Sequence, residues 1–97
     1  MKIVTIDFSN VNNYRQIHGI VKESFQIGVE GFPDFYGENV DALWDCLTGF
    51  IETPVNIVVK GSTKTAKNLA HEIDLVIGVL LRAAKEDWID IDVTIVD

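Results

Sequence analysis

The stretch Val55-Asn56-Ile57-Val58-Val59, entered directly from Pro54, places Val or Ile at every second position. A period of two in β-branched residues marks a strand with one covered face. Two similar runs lie at the ends of the chain, Ile3 to Phe8 and Ile89 to Val96. Because all three alternate instead of running apolar throughout, they predict a sheet that is buried on one side only.

Outward from these runs the period changes to that of a helix. Tyr14, Ile17, Val21 and Phe25 recur at helical spacing behind Asn12 and Asn13, either of which suits an N-cap, and the helix is expected to end near Gly28. Leu69, Ile73, Val76, Ile77, Leu80, Leu81 and Ala84 form a longer stripe, with Ser62, Thr63 or Thr65 available to cap its start. Strands separated by helices imply parallel pairing through crossovers, which are right-handed in about 98% of cases. In the order 1-2-3, both crossovers then fall on one face. Val4, Ile6, Phe8, Val55, Ile57, Val59, Ile91, Val93 and Ile95 are expected to face helices, and Thr5, Asn56, Lys60, Asp92 and Thr94 to face water. The fold class read from the pattern is α/β, a two-layer domain with a three-stranded parallel sheet.

Phe32 to Pro54 is extra to this scheme, since the first crossover already has its helix, and insertions of this kind often carry function. Asn39 suits an N-cap, Gly49 sits where a C′ glycine would, and Val40, Leu43, Trp44 and Leu47 give an apolar stripe, so a short helix is expected over about Val40 to Thr48. At about 100° per residue, Asp41, Asp45 and Thr48 fall within roughly 60° of one another on its opposite face. Asp41 near the N-terminus is favoured by the helix dipole, whereas Asp45 is not, and the pair repel at i, i+4 by about 0.2–0.5 kcal/mol. Local stability does not account for Asp45, which makes it a candidate for function. Trp44 is placed at the edge between the two faces, where it suits either a core or an interface.

The 97 residues suffice for one domain, 1–97, and the composition, 47% hydrophobic and 24% charged with no apolar run long enough to span a bilayer, excludes disorder and membrane insertion. Fifteen Asp and Glu against eight Lys and Arg give a formal charge of −7, which repels nucleic-acid backbones. Between Lys22 and Lys60 there is no Lys or Arg, yet Glu23, Glu30, Asp34, Glu38, Asp41, Asp45 and Glu52 all fall there. A solvated surface would tolerate the same cluster. The lone Cys46 cannot form an internal disulfide and the N-terminus lacks the features of a secretory leader, so a reducing cytoplasm is the expected compartment.

No catalytic constellation is evident. His18 and His71 lie in separate helical patterns, and His71-Glu72 begins like a zinc-protease motif but has Leu75 where the second histidine is required. Cys46 has Asp45 beside it, which raises a thiol pKa, and reads as a small packing residue. Gly61-Ser62-Thr63-Lys64-Thr65 joins a strand to a helix without the spaced glycines of a phosphate loop, and capping alone explains its hydroxyls. No enzyme activity, cofactor or metal is expected.

The run Phe35-Tyr36-Gly37-Glu38-Asn39-Val40-Asp41-Ala42-Leu43-Trp44-Asp45-Cys46-Leu47-Thr48-Gly49 closely resembles the signature segment of the barstar family, intracellular inhibitors of secreted ribonucleases of the barnase type. Weaker resemblance extends through Glu52 and Pro54, through Arg82, Ala84 and Lys85, and through Asp92-Val93-Thr94-Ile95. It implies a cytoplasmic protein, monomeric when free, that binds a basic ribonuclease one to one and plugs its active site with the acidic helix and preceding loop. By motif position, Asp45 resembles the carboxylate that enters the phosphate-binding pocket, with Asp41 its supporting contact. Trp44, Thr48 and Gly49 match further interface positions, and Asn39 lies where the loop meets the helix and shapes the face. The resemblance also raises the expectation of a cis Thr53–Pro54 bond.

The chain departs from the family pattern at two contacts. Phe35 stands where the best-known member has tyrosine, and Ala83 where an acidic contact is expected, with Glu86 and Asp87 about one turn later. Phe35 and Asp87 complete the expected partner-binding set. Two other readings remain open on the residues alone: an immunity protein or binding module for a different basic toxin or effector, and a small ligand-binding or catalytic domain using the Gly61–Thr65 turn, in which Lys64 would matter.

Overall fold

The computed structural model describes residues 2–34, 36–63 and 67–96. In chain order the elements are β1 (Lys2–Asp7), α1 (Tyr14–Gly28), α2 (Val40–Gly49), β2 (Val55–Lys60), α3 (Lys67–Ala84) and β3 (Ile91–Val96). The strands form one parallel sheet in the order β1-β2-β3, with Val4, Ile57 and Val93 in one row and Ile6, Val59 and Ile95 in the next. The Thr53–Pro54 bond that leads into β2 is cis.

Val4, Ile6, Phe8, Val55, Ile57, Val59 and Ile91 are buried as the alternation requires, while Thr5, Lys60, Asp92 and Thr94 are exposed. Three positions differ. Val93 is half-buried and Ile95 is 45% exposed. β3 is a sheet edge with a neighbour on one side only, and the core covers the start of this strand and not its end. Asn56, expected to face water, is half-buried on the central strand, and its Oδ1 has no hydrogen-bond partner among the described residues.

The helices also bury somewhat different faces from those the stripes indicate. On α1, Tyr14 is 55% exposed, while His18 and Ser24 join Ile17, Val21 and Phe25 inside. On α3, Leu81 is exposed and Ile77 and Ala84 are half-buried, whereas Glu72, Val79 and Ala83 are buried with Leu69, Ile73, Val76 and Leu80. The reason is tertiary: α3 touches α2 and α1 as well as β3, so its covered arc is wider than a sheet-facing stripe and turned toward its helical neighbours. Asn13 caps α1, accepting from the Gln16 N–H at 2.9 Å. Thr65 lies outside the described residues.

The inserted segment is closed at its base. The Glu52 N–H donates to the Glu30 carbonyl at 3.1 Å, and Gly31, at φ +94°, passes so close to the Phe50 carbonyl that a Cβ would overlap it. Further along, α1 clamps the loop. Lys22 Nζ donates to the Asp34 carbonyl at 2.8 Å and Gln26 Nε2 to Asp34 Oδ1 at 2.8 Å, while Phe32 stacks on Phe25 and meets Tyr36 edge-on.

A buried polar relay completes the attachment. His18, fully buried, has Nδ1 2.7 Å from the Tyr36 hydroxyl and Nε2 2.6 Å from Glu72 Oε2. The Tyr36 hydroxyl also lies 3.4 Å from the Asn39 carbonyl, at the start of α2. His18 is thus a core residue, with partners distant in sequence. It joins α1, the loop before α2, and α3, and each ring nitrogen is satisfied where an unpaired one would cost about 1–3 kcal/mol.

Gly31→Ala is expected to destabilise by more than about 2 kcal/mol, combining the cost of a left-handed backbone with steric overlap, whereas Gly78→Ala in open space on α3 stabilises by about 0.5–1 kcal/mol; urea unfolding compares them. Burial, with smaller contributions from nearby acidic groups, pushes the Tyr36 phenol well above its ordinary value. The unfolded chain therefore loses this proton first, so the stabilisation is complete below about pH 10 and disappears as pH rises through the folded-state value. Tyr36→Phe should cost about 1–3 kcal/mol at pH 7 and noticeably less at pH 11, by urea unfolding at both pH values.

Candidate functional site

Glu38, just before α2, and Asp41 and Asp45 on it are all exposed. Asn39 caps α2 as expected, accepting from the Ala42 N–H at 2.8 Å, and its Nδ2 donates to the Gly37 carbonyl at 3.1 Å. Glu38, just before it, takes φ +55°, which turns the chain into the helix. The Asn39 side chain is thus engaged in shaping the start of α2.

The helix runs one residue beyond expectation, to Gly49, so Gly49 is not a C′ residue. The Phe50 and Ile51 N–H groups both donate to the Cys46 carbonyl, at 3.1 and 3.3 Å, and close the helix without a left-handed glycine. Leu43, Cys46 and Leu47 are buried, with Val40, Ala42 and Trp44 partly so against the same core. Burial, aided by the neighbouring Asp45 carboxylate, pushes the Cys46 thiol up, which agrees with a packing residue.

On the opposite side, Asp41 and Asp45 are exposed, and among the described residues neither carboxylate has an ion-pair or hydrogen-bond partner. Thr48 is half-buried and donates its hydroxyl to the Trp44 carbonyl at 2.7 Å. Trp44 does sit at the boundary, half-buried, with the Arg82 guanidinium 4.6 Å from its ring centroid. This cation–π contact ties α2 to α3 and was invisible in the sequence, because no spacing rule links residues on two separate helices.

Of the remaining expected positions, Asp87 is exposed in the turn after α3, whose next residue, Trp88, borders a groove shared with Thr48 and Gly49. The structure therefore puts Asp41, Trp44, Asp45, Thr48 and Gly49 on one helix with Asn39 as its cap, while Asp87 is the chain neighbour of Trp88, which lines the groove at the helix C-terminal end. Phe35 lies outside the described residues. Ala83 is fully buried, so the position is a core site and an acidic side chain there would have no surface to occupy.

Elsewhere the chemistry is sparse. Glu72 turns inward to His18 while His71 is exposed, so the two adjacent residues point to different environments. Gly61, at φ +71°, is packed against Ser9, and Lys64 and Thr65 lie outside the described residues. Among the described residues, no three His, Cys, Asp or Glu side chains are grouped to hold a metal, and no helix is long and apolar enough to cross a membrane. A concavity of about 450 Å³ between β1 and α1, lined by Asp7, Asn10, Gln16 and Glu23 among others, lies apart from α2.

The family described as Barstar (barnase inhibitor) matches residues 1–96. The chain is also 35% identical over 86 residues to a Bacillus subtilis (strain 168) protein named "Putative ribonuclease inhibitor YrdF", a match that spans 89% of each. With a match that runs almost from end to end, and with the parallel β1-β2-β3 sheet bearing a capped acidic helix between its first two strands, this chain belongs to the barstar family.

Proposed function

We propose that the protein is a ribonuclease inhibitor that binds a basic, secreted, barnase-type ribonuclease one to one and occludes its active site with α2 and the preceding loop. The observation that carries this reading is Asp45: an exposed carboxylate in the C-terminal half of a helix, repelled by Asp41 and unpartnered among the described residues. Its placement costs the free protein and is compensated once cationic groups surround it. Family membership and the named relative support an inhibitor rather than an enzyme.

In the complex, Asp45 enters the cationic pocket that otherwise receives RNA phosphate, and its desolvated carboxylate accepts charge-assisted hydrogen bonds from arginine and histidine side chains. Asp41 supports it from one turn earlier. Trp44 supplies an apolar edge held by Arg82, Thr48 and Gly49 extend the contact, and Asn39 fixes the start of the helix. Phe35 and Asp87 contribute at the periphery. The surrounding acidic segment speeds encounter with a basic partner. Residues 1–97 act as one domain, monomeric when free, in a reducing cytoplasm where buried Cys46 stays a thiol. The same unpartnered carboxylates would also suit a different basic toxin or effector.

Titration of RNA cleavage by a purified barnase-type ribonuclease tests the proposal. The wild-type protein should inhibit at one equivalent, and Asp45→Ala should lose about 2–5 kcal/mol of binding, roughly 30-fold to several thousand-fold. Failure of the wild-type protein to inhibit such nucleases refutes the ribonuclease assignment and turns attention to another basic partner. Stopped-flow association adds a second expectation: raising salt from about 50 to 500 mM should slow association by about tenfold or more while dissociation changes little.

A further inference from the structure

The C-terminal end of α2 is bordered by a tryptophan that the fold itself does not use. Trp88 is 66% exposed, in the turn between α3 and β3, and lines a groove of about 160 Å³ with Leu47, Thr48, Gly49, Ile51 and Ile89. The turn is tied down on both sides. The Ile89 N–H donates to the Glu86 carbonyl at 3.3 Å, the Val55 N–H to the Asp90 carbonyl at 3.1 Å, and Ile89 itself is 8% exposed. With Ile89 anchored inside, its neighbour Trp88 is displayed outward on a short, fixed segment. At Gly49 nothing lies within 4 Å of where a Cβ would be, so the groove has room for an incoming side chain.

We propose that Trp88 is a specificity-determining contact of the inhibitor, and that it packs against an apolar side chain on the rim of the cationic cleft of the ribonuclease that receives Asp45. The inference rests on the ribonuclease-inhibitor reading and deepens it. Gly49 is four residues beyond Asp45, about 6 Å along the helix axis. A standard interface covers about 800 Å² per partner, equivalent to a disc of roughly 16 Å radius. A partner seated on Asp45 therefore extends over Gly49 and the tryptophan beside it.

Asp87 and Asp90 flank Trp88 in sequence, Glu52 follows the groove residue Ile51, and all three are exposed. Lys85 stands before this turn, and Lys2 lies 4.0 Å from Glu52 at a half-exposed pair, so the rim is acidic without being uniformly so. An exposed indole among carboxylates suits a partner whose own surface carries an aliphatic or aromatic group among Lys and Arg. Tryptophan is among the residues most enriched at energetic centres of interfaces, because it buries a large area at little cost in conformational entropy.

Trp88→Ala and Trp88→Phe, measured beside Asp45→Ala with a barnase-type ribonuclease, test this. Removing an exposed ring should leave urea stability essentially unchanged. Trp88→Ala should raise the dissociation rate about 10- to 100-fold with little change in the association rate or its salt dependence, and Trp88→Phe should recover much of the loss. If the wild-type protein inhibits and Asp45→Ala abolishes inhibition, but Trp88→Ala dissociates within twofold of wild type, the Trp88 contact is overturned while the inhibitor reading stands. If the wild-type protein does not bind, both are overturned.

Discussion

A buried imidazole ties α1 to α3 and to the loop that leads into α2. His18 stands on α1, its hydroxyl partner Tyr36 on the loop before α2, and its carboxylate partner Glu72 on α3, with contacts of 2.7 and 2.6 Å. Such a group cannot drift, because in a low-dielectric interior each lost partner leaves a desolvated polar atom behind. Apolar packing alone would let the inserted segment settle in several ways, whereas two directional bonds on one ring admit few. The Asp34 clamps and the Glu30–Glu52 bond act on the same segment from its other side and from its base.

That fixation matters because the face it presents is unfavourable in isolation. Asp41 and Asp45 repel, the dipole works against Asp45, and neither carboxylate has a described partner. A flexible segment would relax such a face by fraying. Here Leu43, Cys46 and Leu47 are anchored in the core, the Asn39 cap fixes one end, and the paired bonds to the Cys46 carbonyl fix the other. The carboxylates are held where a cationic partner would find them, so little ordering remains to be done on binding.

The helix also sets what surrounds the carboxylates. Arg82 over Trp44 places a cation from α3 at the margin of the acidic face, and the turn after α3 places Trp88 at the end of α2. Arg82 lies on α3, the element α2 packs against, and Trp88 in the turn that follows it. The acidic helix is therefore bordered by residues distant in sequence, which can vary without disturbing the carboxylates themselves.

Element order, the parallel sheet and the one-sided burial were legible from the residues alone, because alternation and helical spacing are local periodicities that survive without tertiary information. The sequence also located the capped acidic helix, since the Asn39 cap, Asp41 in the first turn and the apolar spacing follow local rules, while Asp45 stood out by breaking them. It did not reveal that His18 meets Glu72 and Tyr36, that Arg82 covers Trp44, or that Ala83 is fully buried. Nor did it place Ile95 at an open edge. Each of these depends on how far one helix is rotated and shifted against another, or on where the helix layer ends over the sheet. Side-chain periodicity fixes which face is buried to within a residue or so, and only the docking of α3 against α2, α1 and β3 chooses the final arc.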